Sequence, residues 1–174
     1  MWMVDRVQIG EAVGGVVRMR GRGAEPFRVG STLSAVVAQR LVRRLCPDCR
    51  SAQRPTAAEL RFLNMDRGDI EGVEFFESVG CESCNGTGFK GRIAIHEVLV
   101  PSDELREAVL TQAASSELRR IARSLPEFLT MQEDGVLKAV AGTTSVAEVI
   151  ENAPRDTSPR PLKELMKIAQ IARR

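Results

Sequence analysis

Apolar residues recur along the chain at helical or strand intervals, and glycine and proline punctuate them. Between Val7 and Arg20, Val13, Val16, Val17 and the aliphatic stem of Arg20 fall on one helical face; Gly14 and Gly15 weaken that helix, and Gly21-Arg22-Gly23 closes it. Glu25-Pro26-Phe27 predicts a turn or extended bend, because proline biases the preceding residue away from the helical region. Ser31 or Thr32 is placed to cap a short helix. The next run, AVVAQRLVRRL over 35–45, carries Val36, Val37, Leu41 and Leu45 at helical spacing, and Val37, Gln39 and Leu41 at strand spacing, so periodicity leaves both open.

Further on, TAAELRFLNM (56–65) predicts a helix with Thr56 and Glu59 as a capping box, and GRIAIHEVLV (91–100), β-branched and bounded by glycine and Pro101, predicts a strand. Leu105, Ala108 and Val109 mark one amphipathic helix, and Leu118, Ile121, Ala122 and Leu125 a second that ends at Pro126. Thr130 and Glu133 form another capping box, opening a helix through Val136, Leu137 and Val140 with Gly142 as its stop. Ser145 and Glu148 repeat the device ahead of Val146, Val149 and Ile150. Residues 103–152 therefore read as a small helical bundle. Residues 154–161 read as a linker, and 162–174 as a basic terminal helix with Leu165, Ile168, Ala169 and Ala172 on one side. No internal repeat in the range of roughly 20 to 50 residues is visible.

The 174 residues fit one domain, or a domain with an appendage, at 43% hydrophobic and 28% charged content. Six Phe, one Trp and no Tyr weaken any reading built on stacked bases. The net charge of +2 conceals a division: ten Lys/Arg against four Asp/Glu in 1–54, nine against seventeen in 55–153, and six against two in 154–174. Basic ends around an acidic middle suit mutual neutralisation in a fold or assembly, and no nucleic-acid partner is expected. No stretch approaches the roughly 18 apolar residues of a membrane span, and the start lacks a basic n-region and apolar core, so the chain reads as cytoplasmic.

In that compartment four cysteines favour metal binding or catalysis over disulfides. Cys46-Pro-Asp-Cys49 and Cys81-Glu-Ser-Cys84 are two Cys-x2-Cys pairs separated by 31 residues. A two-residue gap aims both thiolates of a pair at one ion, and two such knuckles complete the S4 shell that zinc accepts at about 2.3 Å. The separation exceeds the roughly 15–20 residues of common four-cysteine motifs, so the site closes across an insertion. With no position left for water, the zinc reads as structural. Two disulfides, in any of three connectivities, and free core thiols are the other readings. His96, twelve residues past Cys84 inside the predicted strand, reads as a strand residue rather than a ligand. No catalytic residue is assigned: acidic pairs such as Asp103 and Glu104 lie at helix starts, where the macrodipole accounts for them. The chain contains no Gly-x4-Gly-Lys-Ser/Thr phosphate loop, so no nucleotide-binding residue is assigned either.

Four stretches, AVGGVVRMRGRGAEPF, VVAQRLVRRLCPDC, CESCNGTGFKGRIAIHEVL and MQEDGVLKAVAGTTSVAEVI, appear in the order found in the GspE/PulE-type ATPases of type II secretion and type IV pilus assembly. Over about residues 11 to 152 the chain resembles the C-terminal part of that family. The resemblance implies an α/β fold: a C-terminal fragment of a RecA-like P-loop NTPase domain with a four-cysteine zinc insertion and a C-terminal helical bundle. Residues 1–45 would be partial RecA-like core, 46–84 the zinc insertion held by Cys46, Cys49, Cys81 and Cys84, 85–100 a returning strand, 101–153 the helical region, and 154–174 the linker and terminal helix. It also implies that 35–45 holds a strand of the same sheet as GRIAIHEVLV.

The family's phosphate loop and histidine box would precede residue 11, so the chain reads as truncated or split and is not expected to hydrolyse ATP; ATP and Mg belong to the full-length family. The implied partners are copies of itself, since the family is hexameric, an inner-membrane secretion or pilus platform, and a chain supplying the missing ATPase part. Localisation would be cytoplasmic, peripheral at the inner membrane. Motif matching assigns no role to Arg40 or Arg43. One rival is a stand-alone zinc-stabilised, chaperone-like interaction module, since CESCNGTG fits the Cys-x2-Cys-x-Gly-x-Gly pattern of DnaJ-type domains. Another is a nucleic-acid binder using the basic ends.

Overall fold

The structure, a computed structural model, describes residues 10–171. Val7 and the rest of the start of the first predicted helix, and Ala172 of the last, lie outside the described residues. The chain is a mixed helix-and-sheet protein that divides into two compact units, one of 1–38 with 97–129 and the other of 39–96 with 130–174.

In the first unit, helix α1 (Ala12–Gly21) buries Ala12, Val13, Gly15 and Val16. Val17, expected on that face, is 37% exposed, because the buried stripe is centred one residue back. The N-terminus of α1 is satisfied from a distance: the Ala12 N–H donates to the buried Glu97 carboxylate at 2.7 Å, while Glu11 pairs with Arg119. Helix α2 (Pro26–Thr32) replaces the expected bend. Glu25 is extended, as the residue before proline should be, but Pro26 occupies the first helical turn, where its missing N–H costs nothing. Ser31 and Thr32 therefore end this helix instead of capping another, and their hydroxyls donate to the carbonyls of Phe27 and Arg28 at 2.7 Å each. Helices α4 (Asp103–Leu110) and α5 (Ser115–Ser124) bury the predicted Leu105, Ala108, Val109, Leu118, Ile121 and Ala122. Arginines tie the helix ends: Arg106 donates to the Gly30 carbonyl at 2.7 Å and Arg20 to that of Ala113 at 3.0 Å.

The ambiguous run is a strand, β1 (Val36–Leu45), paired with β4 (Phe89–Leu99), as the resemblance implied. A Cys46 N–H to Gly88 C=O bond of 2.9 Å sets the end of β1 beside the start of β4, so the paired strands run antiparallel. Between them the second unit carries β2 (Ser51–Ala52), paired antiparallel with β3 (Phe76–Glu77), and the capping-box helix α3 (Ala57–Phe62).

The remaining helices of this unit are α6 (Met131–Val140), α7 (Val146–Asn152) and α8 (Leu162–Ile171). The helices after Pro101, expected as one bundle, are thus divided between the units. Pro126 interrupts the helical run, and α4 and α5 find their packing partners in α1 and α2, while α6 packs with α7 and α8 and α7 also packs with α3. Thr130 and Glu133 form the expected box. At Ser145 only half of one forms: its hydroxyl accepts the Glu148 N–H at 3.3 Å, but the Glu148 carboxylate turns instead to Arg43, a charged partner stronger than a backbone amide. Gly135 lies where α6 meets α7; a Cβ there would stand 2.8 Å from a Val149 methyl.

Helices α6 and α7 also cover strand edges. The Arg43 N–H donates to Glu148 at 2.8 Å, its carbonyl accepts the Thr144 hydroxyl at 2.8 Å, and the Leu45 N–H reaches the Thr143 carbonyl at 2.9 Å. On β4, the His96 N–H donates to Asp134 at 2.7 Å and the Ala94 carbonyl accepts Lys138 at 2.8 Å. His96 is thus an ordinary strand residue.

Candidate metal centre

Local geometry builds two thiol turns within the second unit. Cys46 follows the last residue of β1, and the Arg50 N–H returns to its carbonyl at 3.1 Å, closing the Pro47-Asp48 turn so that Cys49 faces the same way. Cys81 precedes a single 3₁₀ turn (Glu82–Cys84), after which Asn85 takes a left-handed conformation and the chain turns back towards β4. The turns bring all four Sγ atoms within 4.8 Å of one another. The Sγ–Sγ separations are 4.0 Å for Cys46 to Cys81, 3.9 Å for Cys49 to Cys84 and 3.8 Å for Cys81 to Cys84.

Four sulfurs about 2.3 Å from a shared centre stand about 3.8 Å apart in a regular tetrahedron. The four cysteines are therefore positioned to hold one metal ion with a closed sulfur shell. All four are free thiols in the structure, far beyond the S–S length of about 2.05 Å.

Backbone amides point at the sulfurs as thiolates require. Gly80 N–H donates to Cys49 at 3.3 Å; Cys81 and Gly88 N–H groups donate to Cys84 at 3.2 and 3.1 Å. The Cys81 amide, with that of Gly88, lowers the Cys84 thiol to about 6, whereas burial raises Cys49 to about 11. A further bond joins the knuckles outside the sulfurs: the Ser83 hydroxyl donates to Asp48 at 2.6 Å, and Lys90 donates to that hydroxyl at 3.3 Å.

Gly80 is a site residue that the spacing argument missed. At φ +105 its absent Cβ would stand 2.5 Å from the Gly86 carbonyl oxygen, so the chain passes itself here at backbone distance. The signal was present as a glycine directly before the second pair. Gly80→Ala is expected to weaken metal retention at least tenfold in a chelator competition, because both the clash and the left-handed backbone disfavour it; unchanged retention would show that the loop relaxes freely. Arg43 is engaged structurally, paired with Glu148 and lying 4.0 Å over the Phe89 ring, while Arg40 is exposed.

The family described as "Type II/IV secretion system protein" matches residues 6–151. The chain belongs to that family. It is 38% identical over 148 residues to the type IV pilus assembly ATPase PilB of Thermus thermophilus, covering 85% of this chain and 16% of that protein. It is 39% identical over 145 residues to the type II secretion system protein E of Aeromonas hydrophila, covering 83% and 28%. With the type II secretion system ATPase E of Vibrio cholerae, identity is 36% over 139 residues, covering 80% and 27%. The chain thus spans less than a third of the length of these relatives. Among the described residues, no helix is long and apolar enough to cross a membrane.

Proposed function

We propose that this chain is the C-terminal segment of a type II secretion or type IV pilus assembly ATPase, built around one structural zinc and serving assembly contacts. The observation that carries the reading is the tetrahedral spacing of Cys46, Cys49, Cys81 and Cys84 with amides aimed at their sulfurs, in a chain of this family. When bound, zinc would cross-link the two knuckles and do no chemistry, since four thiolates leave it no open position. The residues themselves do the rest: Gly80, Cys81 and Gly88 amides stabilise negative sulfur, and Asp48 with Ser83 fixes one turn against the other.

In this reading 1–45 contribute to a RecA-like core, 46–84 are the zinc insertion, 85–100 return to the sheet, 101–153 are the helical region, and 154–174 are an appended segment. The segment contains no phosphate loop, so nucleotide binding and ATP turnover belong to the rest of the ATPase polypeptide. Its partners are that polypeptide, further copies in a ring, and an inner-membrane secretion or pilus platform, which places it in the cytoplasm at the membrane face.

Metal analysis of the purified chain beside an ATPase assay tests both halves of the reading. One zinc per chain is expected, lost in Cys81→Ser and Cys84→Ser, with no ATP turnover above a purified blank. Turnover by the chain alone overturns the non-catalytic assignment, and metal-free protein with oxidised cysteines overturns the zinc.

A further inference from the structure

Helix α6 closes in a Schellman turn. Gly142, just past the C-cap Ala141, takes φ +66; its N–H returns to the Ala139 carbonyl at 2.9 Å, and the Thr143 N–H to the Lys138 carbonyl at 2.9 Å. Such a turn spends its amides on its own helix and leaves the carbonyls of Gly142 and Thr143 to accept from elsewhere. Both accept from residues that flank the first cysteine pair. The Leu45 N–H, directly before Cys46, donates to the Thr143 carbonyl at 2.9 Å, and the Arg50 guanidinium, directly after Cys49, donates to the Gly142 carbonyl. The Arg50 amide meanwhile closes the knuckle itself on the Cys46 carbonyl at 3.1 Å.

The fit around this contact is close. The Arg50 guanidinium lies 4.8 Å from the centroid of the Phe76 ring, and Phe76 is held in β3 opposite Ala52. A Cβ on Gly142 would stand 2.5 Å from an Arg50 guanidinium nitrogen and 2.9 Å from the Phe76 ring. Glycine at 142 thus meets two demands, a left-handed backbone and room for the Arg50 side chain.

We propose that the end of α6 seats the first metal knuckle, with Arg50 and Gly142 as positioning residues, so that metal occupancy and the order of the turn between α6 and α7 are coupled. This coupling rests on the zinc reading above and extends it to residues that are not ligands. Sulfurs held in place before the ion arrives bind it more tightly, because a knuckle free to swing must be ordered at the moment of binding. Leu45 and Arg50 pin the Cys46–Cys49 turn from both sides to two successive carbonyls. Linkage makes the effect reciprocal: what the turn adds to metal binding, bound metal returns to the turn.

Zinc competition against a chelator, beside amide hydrogen exchange on the same chain, tests the coupling. Arg50→Met keeps the stem without the donor and is expected to bind zinc about tenfold more weakly, the range in which groups supporting metal ligands act. Gly142→Ala is expected to do the same from the helix side; should it fail to fold, Arg50→Met decides. Arg50→Lys keeps a cation with a donor and is expected to fall between Arg50→Met and the parent. Val136→Ala, a cavity at a buried position of α6, is expected to lower the melting temperature and leave zinc affinity unchanged, which separates positioning from general stability. In the parent, chelating the zinc should quicken exchange at the Gly142 and Thr143 amides, and in Arg50→Met that metal dependence should shrink. A parent that binds no zinc overturns the zinc reading and this coupling with it. A parent that binds zinc, with Arg50→Met equally tight or with exchange at 142–143 indifferent to the chelator, overturns the coupling alone.

Discussion

In the zinc-bound chain proposed above, stripping the metal from the four-cysteine centre is expected to unfold the segment between the two knuckles and lower the melting temperature by about 10 °C or more. The reason lies in how little holds that segment from within, although α3 packs on α7 and Arg50 and Phe76 meet Gly142. Its strands β2 and β3 are two residues each, its helix α3 has six, and its apolar core is Leu60, Leu63, Met65, Ile70 and Phe75. So small a core does not offset the conformational entropy of the 31 residues between the pairs, and small segments of this kind depend on a cross-link. Pairs 31 residues apart close a long loop, so the cross-link removes much entropy from the unfolded chain.

Protons compete with the metal, and the sign follows from the thiols. Cys49, raised to about 11 by burial, is protonated at neutral pH and must release its proton when metal binds. Cys84, lowered to about 6 by the Cys81 amide, is already a thiolate there. Apparent affinity should therefore climb with pH by about tenfold per unit for each proton displaced, and Cys84 should add to that slope only below about pH 6. Thermal melts with and without a zinc chelator, beside competition titrations at stepped pH, read both effects. A chelated chain that melts with the holo-protein, or an affinity flat between pH 6 and 9, would contradict this account.

What the sequence discloses well is what neighbours in sequence decide. The cysteine pairs are legible because each turn needs only four residues, and the boxes at Thr56 and Thr130 are legible because a cap is completed within three. The run at 35–45 shows where such reading ends. Its valines and leucines satisfy both periods, and what makes it a strand is β4, some fifty residues away. Glu148 illustrates the same limit: locally it completes a box with Ser145, but Arg43, over a hundred residues earlier, supplies a stronger partner. Glu97 is likewise silent in sequence, and its function as acceptor for the first amide of α1 emerges only when the strand end and helix start are brought together. At Pro26 the rule for the preceding residue was right while the element was not, since a proline that bends one chain opens a helix in another. Arg40 and Arg43, indistinguishable in the motif, are separated by structure into an exposed side chain and one clamped between a carboxylate and a ring.

The stretch expected as a linker, 154–161, leads to the second large effect. It is tied to the first turn of α6 by buried polar groups. Gln132 and Glu133 are each 1% exposed. Gln132 accepts the Asp156 N–H at 2.8 Å, and the Thr130 hydroxyl donates to the Asp156 carboxylate at 3.0 Å. Glu133 accepts the Thr130 N–H at 2.9 Å to complete the helix cap, accepts the Arg160 N–H at 2.9 Å, and pairs with the Arg160 guanidinium at 3.4 Å. One carboxylate therefore joins cap and strap, and Leu162 and Leu165, both fully buried, follow directly along the chain.

Glu133→Ala removes the shared acceptor, strands two backbone donors and leaves the largely buried Arg160 cation to its more distant partner Glu164 at 3.8 Å, which should cost about 3–5 kcal/mol in urea unfolding. Glu133→Gln keeps one acceptor oxygen but turns an amide N–H₂ towards donors, and should cost about 2 kcal/mol. Arg160→Met isolates the strap, because the helix cap and the residue-160 amide bond both survive, so its cost should fall below that of Glu133→Ala. Hydrogen exchange at 154–165 should quicken in all three variants, while exchange at the start of α6 should quicken only where Glu133 is changed. Glu133→Ala within about 0.5 kcal/mol of the parent, the range of an ordinary surface substitution, would mean that the strap holds α6 through its leucines alone.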